Sequence, residues 1–346
     1  MERVMQRMKW IDTAKGIAII LVVIGHVVSS YQSSGMYLTS TIFNFSHDFV
    51  YSFHMASFMI LSGILFSCAS ENKRNNSIIS KIINYGIPYI AFSIVWWLFK
   101  VVLASHTNTP VSISDILLIP IFPISFMWYI YALLIMNIIQ MKLPVGAKRK
   151  YRLIHMGIAL ILLLSSNYLC ETLSFISFED LIICDIFKHY LYFLIGVYYA
   201  RKFVILVENS TRKLPLITSI TGCFLLVANI LLYNFPGLNI SIVRIIVALI
   251  GSAFLIMLSH IVSESVVLNY LGKNSLAIYV LHSLAIAGTR SVMTRLWNGS
   301  DLRGWLPLVI CSLFGIILPL VAYSVSQKIW KLDFFFSPGK YIHINK

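Results

Sequence analysis

Long apolar runs recur from one end of the chain to the other, and only short polar connections separate them. A helix of about 20 apolar residues crosses the roughly 30 Å hydrocarbon core of a bilayer. The pattern therefore predicts ten membrane-spanning helices, at about residues 13–30, 49–68, 82–103, 125–141, 153–169, 186–200, 214–233, 242–261, 267–288 and 305–327. Because no connection is long enough to hold a soluble domain, we expect one all-α, polytopic membrane domain over residues 1–346.

Composition agrees with a membrane protein. Hydrophobic residues make up 58% of the chain and charged residues 12%, which is about half the charged share of a typical soluble protein. The net charge of +14 is spread over short loops and is not gathered in one patch. Such charge is typical of loops that set the orientation of membrane helices. We therefore expect membrane lipids, and no nucleic acid, among the partners.

Positive charge is divided unequally between the two sides of the predicted helices. With the N-terminus inside, the cytoplasmic segments carry 21 of the 27 lysines and arginines, and the external segments carry 6. This bias predicts cytoplasmic N- and C-termini. Three of the six lie in the last external loop, at Arg290, Arg295 and Arg303. They indicate either a misplaced helix boundary or a site for an anionic group.

The first helix carries a polar stripe within an apolar sequence. Asp12, Lys15 and His26 fall within an arc of roughly 60° on one helical face. Lys15 and His26 lie about 16 Å apart along the axis. Ionisable groups inside a membrane span are costly and usually functional, so the stripe predicts a reaction carried out within the membrane. Asp12 and Lys15 form either a simple ion pair near the headgroups or part of an anchor for phosphate.

Two further polar positions lie near the ends of the next helices. His54 stands a few residues below the outer end of the second helix, at a depth similar to that of His26. It either takes part in proton transfer or only donates a hydrogen bond to the first helix. Lys81 and Asn84 open the third helix on the cytoplasmic side, where they could join Lys15 in a basic mouth.

Later helices add aromatic and histidine side chains. Trp128 and Tyr129 open the fourth helix and belong either to an interfacial aromatic belt or to a binding site. Ser275, Tyr279 and His282 share one face of the ninth helix at i, i+4 and i+7. For His282, packing and catalysis both remain open.

Neither the cysteines nor the common catalytic motifs indicate a particular function. Cys68, Cys170, Cys184, Cys223 and Cys311 show no CxxC spacing, and most lie in or beside apolar runs. We expect them to be small packing residues and not a metal site or a disulfide framework. No serine-hydrolase elbow, P-loop, dinucleotide fingerprint or clustered metal-ligand set occurs, so no metal is expected.

Several motifs together resemble the bacterial membrane acyltransferase-3 family, which includes the fucose 4-O-acetylase-like and surface-polysaccharide O-acetyltransferases. They are WIDTAKGIAIILVVIGH at 10–26, FHMASFMILSGILF at 53–66, KIINYGIPYI at 81–90, WYIYALL at 128–134, YFLIGVYYA at 192–200 and LGKNSLAIYVLH at 271–282. The resemblance implies a ten-helix domain in the bacterial inner membrane. It would move an acyl group, usually acetyl, from cytosolic acyl-CoA to a sugar hydroxyl on a surface glycan.

The family pattern implies roles for particular residues. A basic residue, ten intervening positions and an essential histidine in the family's first helix correspond to Lys15 and His26. The arginine pair that often opens the third helix becomes Lys81 and Asn84, which lack the guanidinium fork. The FHMP-like stretch has lost its proline, which is Ala56 here.

On this basis we expect His26 to act as the general base on the acceptor hydroxyl, with Asp12 orienting Lys15. Lys15, Lys81 and Asn84 would bind the phosphates of acetyl-CoA. The acceptor, a glycan or a lipid-linked oligosaccharide such as an O-antigen precursor, would lie against a set of polar and aromatic side chains: His54, Trp128, Tyr129 and His282.

Two other functions are compatible with a polytopic helical protein. A flippase or exporter of a lipid-linked sugar would show polar groups over many helices and broken helices at the midplane. An assembly subunit of a polysaccharide synthase would tolerate an amide in place of His26. Acyl transfer explains more of the polar residues in the first three helices.

Overall fold

A computed structural model describes residues 9–32, 40–70, 77–102, 112–143, 148–174, 181–209, 213–296, 305–329 and 331–342. Across these ranges the chain is mostly helical and contains no strand, which confirms the predicted all-α class. The helices are α1 (Lys9–Gln32), α2 (Ser40–Tyr51), α3 (His54–Ser70), α4 (Ile78–Lys81), α5 (Ile87–Val102), α6 (Trp128–Met141), α7 (Arg149–Ser174), α8 (Ile182–Asn209), α9 (Leu214–Asn234), α10 (Ser241–Ile261), α11 (Val266–Lys273), α12 (Ser275–Leu296) and α13 (Trp305–Lys328).

Nine stretches of the described chain are long and apolar enough to cross a membrane. A shorter apolar helix at Ser125–Met141 occupies the place of the fourth predicted span. The protein is therefore a multi-pass membrane protein. The count of ten spans and the cytoplasmic termini stay predictions.

Three predicted helices are interrupted, and polar or proline residues lie at each break. The chain leaves helical geometry between α2 and α3, where the Ser52 hydroxyl donates to the Phe49 carbonyl at 2.8 Å. A π-helical turn at Ile82–Gly86 precedes Pro88, which has no N–H to donate. The predicted span 267–288 is two helices, because Asn274 ends α11 and its amide competes for the Tyr270 carbonyl at 2.9 Å.

The contacts group the chain into two compact units, and whether these act as one domain stays a prediction. The first unit comprises the described residues of Met1–Leu61 and Lys202–Lys328. Within it, α1 packs against α2, α10, α11, α12 and α13. Glycine allows the backbones of α1 and α11 to touch, since a Cβ on Gly272 would lie 1.6 Å from the Asp12 carbonyl oxygen.

The second unit comprises the described residues of Ser62–Arg201 and Ile329–Lys346. Here Gly63 allows α3 to approach α8, because a Cβ at this position would lie 2.1 Å from the Phe193 carbonyl oxygen. A disulfide joins Cys170 in α7 to Cys184 in α8, with the Cα atoms 5.9 Å apart. Our expectation that these two cysteines only pack was wrong, because the α7–α8 hairpin brings them together. Three further cysteines lie outside this disulfide: Cys68, Cys223 and Cys311.

Candidate functional site

The polar stripe of α1 begins with an ion pair. Lys15 Nζ lies 3.0 Å from Asp12 Oδ1, and the Asp12 side chain is only 6% exposed. A carboxylate buried to this degree is costly without a cationic partner. The predicted i,i+3 contact is therefore formed, and Asp12 holds the Lys15 ammonium on the stripe.

His26 meets a histidine from the other end of the chain. The ring centroids of His26 in α1 and His282 in α12 are 4.8 Å apart, with the planes inclined by 57°. His26 is partly exposed, whereas His282 is fully buried. The structure thus brings together two of the predicted site residues that no local spacing connects.

The orientation of His282 follows from its hydrogen bonds. Its Nδ1 atom lies 2.6 Å from the Tyr279 carbonyl oxygen, so this nitrogen carries the proton and donates it. Its Nε2 atom lies 3.2 Å from the Ser283 hydroxyl, which can donate to it. With both contacts made, His282 is a fixed imidazole beside His26.

His54 is held in the same way at the junction of α2 and α3. Its Nδ1 atom donates to the Val50 carbonyl at 2.7 Å, and the side chain is buried. Its ring meets the edge of Tyr51 at a centroid distance of 4.8 Å. Tyr51 in turn lies edge-on to His26 at 6.5 Å. His54 is therefore connected to His26 through Tyr51.

Two members of this neighbourhood were missed by the sequence prediction. The imidazole of His47 stacks on Tyr51 at 4.2 Å, with 23° between the rings. The Tyr51 hydroxyl lies 3.3 Å from that of Ser29 on α1. The i, i+4 and i+7 spacing of His47, Tyr51 and His54 places them on one helical face and could have indicated that they lie together. This spacing was missed because the predicted second helix began at residue 49, whereas α2 begins at Ser40.

We call five side chains together the histidine–tyrosine cluster: His26, His47, Tyr51, His54 and His282. Gly25 makes room for it, because a Cβ at this position would lie 3.0 Å from a ring carbon of Tyr51. Across the described ranges, no group of three or more His, Cys, Asp or Glu side chains could hold a metal ion.

The three arginines of the predicted last external loop have a structural explanation in part. Helix α12 continues to Leu296, so Arg290 and Arg295 lie in its last two turns and the predicted end at residue 288 was too early. Arg290 donates to the Ser30 carbonyl at 2.7 Å, at the end of α1. Arg303 lies outside the described residues.

In the second unit, Lys81 and Asn84 have different surroundings although both lie at the start of the third membrane stretch. Lys81 is buried, with its ammonium 5.4 Å from the centre of the Phe66 ring. Asn84 is exposed and donates to the Ser80 carbonyl at 2.8 Å. A Cβ on Gly339 would lie 2.4 Å from Asn84 Oδ1, so the C-terminal segment passes directly over this amide.

We define the C-terminal segment as residues 331–342. Its Asp333 carboxylate is buried and accepts hydrogen bonds from the Tyr341 hydroxyl and from Lys340 Nζ, the latter at 3.0 Å. These bonds, that of Tyr341 first, hold the pKa of Asp333 below its usual range. The same carboxylate raises the pKa of Lys340. The segment is therefore folded around one charged group next to Asn84.

Trp128 and Tyr129 also lie in the second unit. The indole of Trp128 stacks on the His189 imidazole at 4.8 Å, and His189 Nδ1 donates to the Asp185 carbonyl at 2.8 Å. The Tyr129 hydroxyl lies 3.0 Å from that of Ser62. Both aromatic residues thus have polar partners inside the protein, which a simple lipid-facing belt does not require.

Comparison with known proteins agrees with these features. The family model described as an acyltransferase domain matches residues 8–324, from just before α1 into α13. No curated protein and no solved structure matches the chain. The match does not favour the exporter hypothesis. Since the model covers nearly the whole chain, the protein belongs to the acyltransferase-3 family and is a membrane acyltransferase.

Proposed function

We propose that the enzyme moves an acetyl group from cytosolic acetyl-CoA to a hydroxyl of a cell-surface polysaccharide, or of its lipid-linked oligosaccharide precursor. Acetylation of an O-antigen is a reaction of this kind, and the location would be the bacterial inner membrane. The observation that carries the proposal is the contact between His26 and His282, whose ring centroids are 4.8 Å apart within the membrane helices.

The proposed chemistry is direct transfer with His26 as the general base. His26 takes the proton of the acceptor hydroxyl while the hydroxyl oxygen attacks the thioester carbonyl carbon. Collapse of the tetrahedral intermediate breaks the carbon–sulfur bond. The leaving CoA thiolate then takes the proton back from the His26 imidazolium, so the base is regenerated and the ester product carries the acetyl group. Transfer through an acyl-histidine is the alternative form of the same reaction.

His282 supports this chemistry from a fixed position. Because its Nδ1 proton is committed to the Tyr279 carbonyl, its Nε2 side is a hydrogen-bond acceptor. A fixed neutral imidazole beside His26 would orient the base and stabilise the imidazolium that forms on it. The sequence predicts that His282 lines the acceptor site, and its contact with His26 is also compatible with that role.

The donor is expected to bind through Lys15, Lys81 and Asn84. Lys15 and His26 are about 16 Å apart along α1, a span that a long, thin pantetheine arm could cover. Asp12 lies about 21 Å from His26 along the same helix, so it acts as a positioning residue for Lys15 and not on the reacting atoms. On the acceptor side we place His54, Trp128 and Tyr129.

The test is acyl transfer in membranes from cells that express wild type or His26→Ala, using radiolabelled acetyl-CoA and the cells' own surface glycan. We expect label in the glycan only with wild type, at equal levels of inserted protein. Loss of a general base typically costs about 10²- to 10⁴-fold in rate. Equal labelling by both proteins would show that His26 is structural, and labelling by neither would reject the donor or the acceptor.

A further inference from the structure

Tyr51 is exposed even though its ring is held on several sides. It is 39% exposed, while His47 stacks on it and His54 and His26 meet it edge-on. Its hydroxyl is within 3.3 Å of the Ser29 hydroxyl. A ring that only anchors a helix at the membrane interface needs none of these contacts. Tyr51 is therefore a fixed aromatic surface that reaches from the base to the exterior of the first unit.

Polar groups border the exposed part of this surface. Asp48 has a side chain that is 63% exposed, and one of its carboxylate oxygens lies 3.1 Å from His47 Nδ1. The hydroxyls of Tyr51 and Ser29 add groups that both donate and accept hydrogen bonds. Stacked aromatic rings bordered by a carboxylate and two hydroxyls suit an amphipathic ligand with an apolar face and many hydroxyls.

A pyranose ring has this chemistry. Its C–H face packs on the electron-rich face of an aromatic ring, and its hydroxyls donate to carboxylates. A lipid acyl chain would gain nothing from Asp48, since burying a carboxylate against hydrocarbon is costly. The surroundings of Tyr51 thus favour a sugar over a lipid tail.

We propose that Tyr51, with His47, Asp48 and Ser29, forms the acceptor subsite and binds a sugar ring so that one of its hydroxyls faces His26. This inference rests on the proposed function, since it takes His26 as the base. It differs from the sequence prediction, which named neither His47 nor Tyr51. It assigns the subsite to side chains of the first unit that adjoin the base.

The experiment uses the full-length protein in lipid nanodiscs with radiolabelled acetyl-CoA. The acceptor probe is the glycolipid fraction extracted from membranes of the expressing cells. Two rates are measured: transfer of label to the glycolipid over a range of acceptor concentrations, and release of CoA when water is the only acceptor. The variants are Tyr51→Leu, Tyr51→Phe and Asp48→Asn. Phe45→Leu is the matched control, because Phe45 lies on the same helix but packs on Tyr233 at 5.8 Å.

Tyr51→Leu is expected to raise the acceptor KM about tenfold or more, as the loss of an aromatic anchor does. Its donor KM should stay within about twofold of wild type. Tyr51→Phe keeps the ring and should retain most of the affinity, while Asp48→Asn should raise the acceptor KM about threefold. Phe45→Leu should behave as wild type.

Other outcomes overturn the proposal. If Tyr51→Leu lowers kcat and acceptor-free release equally with an unchanged acceptor KM, the ring only holds His26. If the wild type labels no glycolipid, the acceptor is not a glycan of these membranes. The role of His26 as the base and the role of Tyr51 in sugar binding are tested separately by measuring how much labelled glycolipid is retained by nanodiscs that contain His26→Ala. A Tyr51→Leu substitution that lowers retention there supports the subsite whatever the role of His26, and unchanged retention rejects it.

Discussion

The surroundings of His26 in the first unit and those of Asn84 in the second unit are built by different forces. Around α1, glycine lets backbones touch, and bonds to main-chain carbonyls orient His54 and His282 of the cluster. Around Asn84, an exposed amide lies under a short segment that is folded by one buried carboxylate. Close packing fixes the groups proposed for bond making, whereas charge and hydrogen bonds hold the groups proposed for donor binding.

This contrast leads us to expect different kinetic effects. Substitutions that move His26 or the helices packed on α1 should lower kcat or prevent folding, because they displace a tightly packed base. Substitutions around Asn84 should raise the donor KM and leave kcat nearly unchanged, because they disturb binding alone. The four predictions that follow are ordered from the largest expected effect to the smallest.

Gly272→Ala should have the largest effect, on folding itself. The new Cβ would meet the Asp12 carbonyl at 1.6 Å, so α1 and α11 must separate. Overpacking of this kind costs about 3 kcal/mol or more. We expect the apparent thermal midpoint in detergent to fall by at least about 5 °C, with transfer lost. Gly157→Ala in α7 is the control, since nothing lies within 4 Å of its Cβ position, and it should be neutral or slightly stabilising. Equal midpoints for the two variants would contradict the packing account.

His282→Ala should lower kcat about 10- to 100-fold with little change in either KM. The reason is that His26 loses the fixed imidazole whose ring lies 4.8 Å away. Steady-state kinetics of the purified protein in nanodiscs provides the measurement. Ser283→Ala removes only the hydroxyl near Nε2, at 3.2 Å, and should cost less. A His282→Ala protein with wild-type kcat would assign His282 to packing.

Gly339→Ala should raise the acetyl-CoA KM about threefold with kcat unchanged. Its Cβ would crowd Asn84 Oδ1, which must rotate away from its present place. The same substitution in an Asn84→Ala background should then have no further effect on the donor KM. If Gly339→Ala changes kcat instead, the C-terminal segment does more than border the donor residues.

Asp333→Asn should release the C-terminal segment without a large change in turnover. The pKa of Asp333 is lowered in the folded protein, so its contribution to stability is complete above the usual value of 3.8 and is lost as pH falls through the lower folded value. Limited proteolysis at neutral pH should therefore cut the variant in this segment and spare the wild type, with the wild type becoming sensitive only in strong acid. Lys328→Gln, outside the segment, is the control. Equal cleavage of Asp333→Asn and wild type at neutral pH would show that Asp333 does not hold the C-terminal segment in place.

Much of the fold was predictable because it depends on local pattern. Long apolar runs defined the membrane helices, and the Asp12–Lys15 contact followed from helical spacing alone. The breaks before His54 and after Lys273 were not predicted, although a polar residue marks each of them, Ser52 at the first and Asn274 at the second. They depend on side chains that compete for backbone carbonyls.

The candidate site was predictable residue by residue but not as an arrangement. His26, His54 and His282 were each marked by a polar group in an apolar helix. Their proximity depends on how α1, α2 and α12 pack, which no local spacing reports. The pairing of Cys170 with Cys184 was missed for the same reason.

The central claim is that His26 is the base and that His282 supports it, and a double-mutant cycle tests this most directly. Transfer by wild type, His26→Ala, His282→Ala and the double variant is measured at saturating acetyl-CoA and acceptor, with the inserted protein quantified. Residues that act as a unit show strongly non-additive losses, so we expect the double variant to be no slower than His26→Ala alone. A double variant slower by the product of the two single losses would contradict the account, because it would mean that the two histidines act independently.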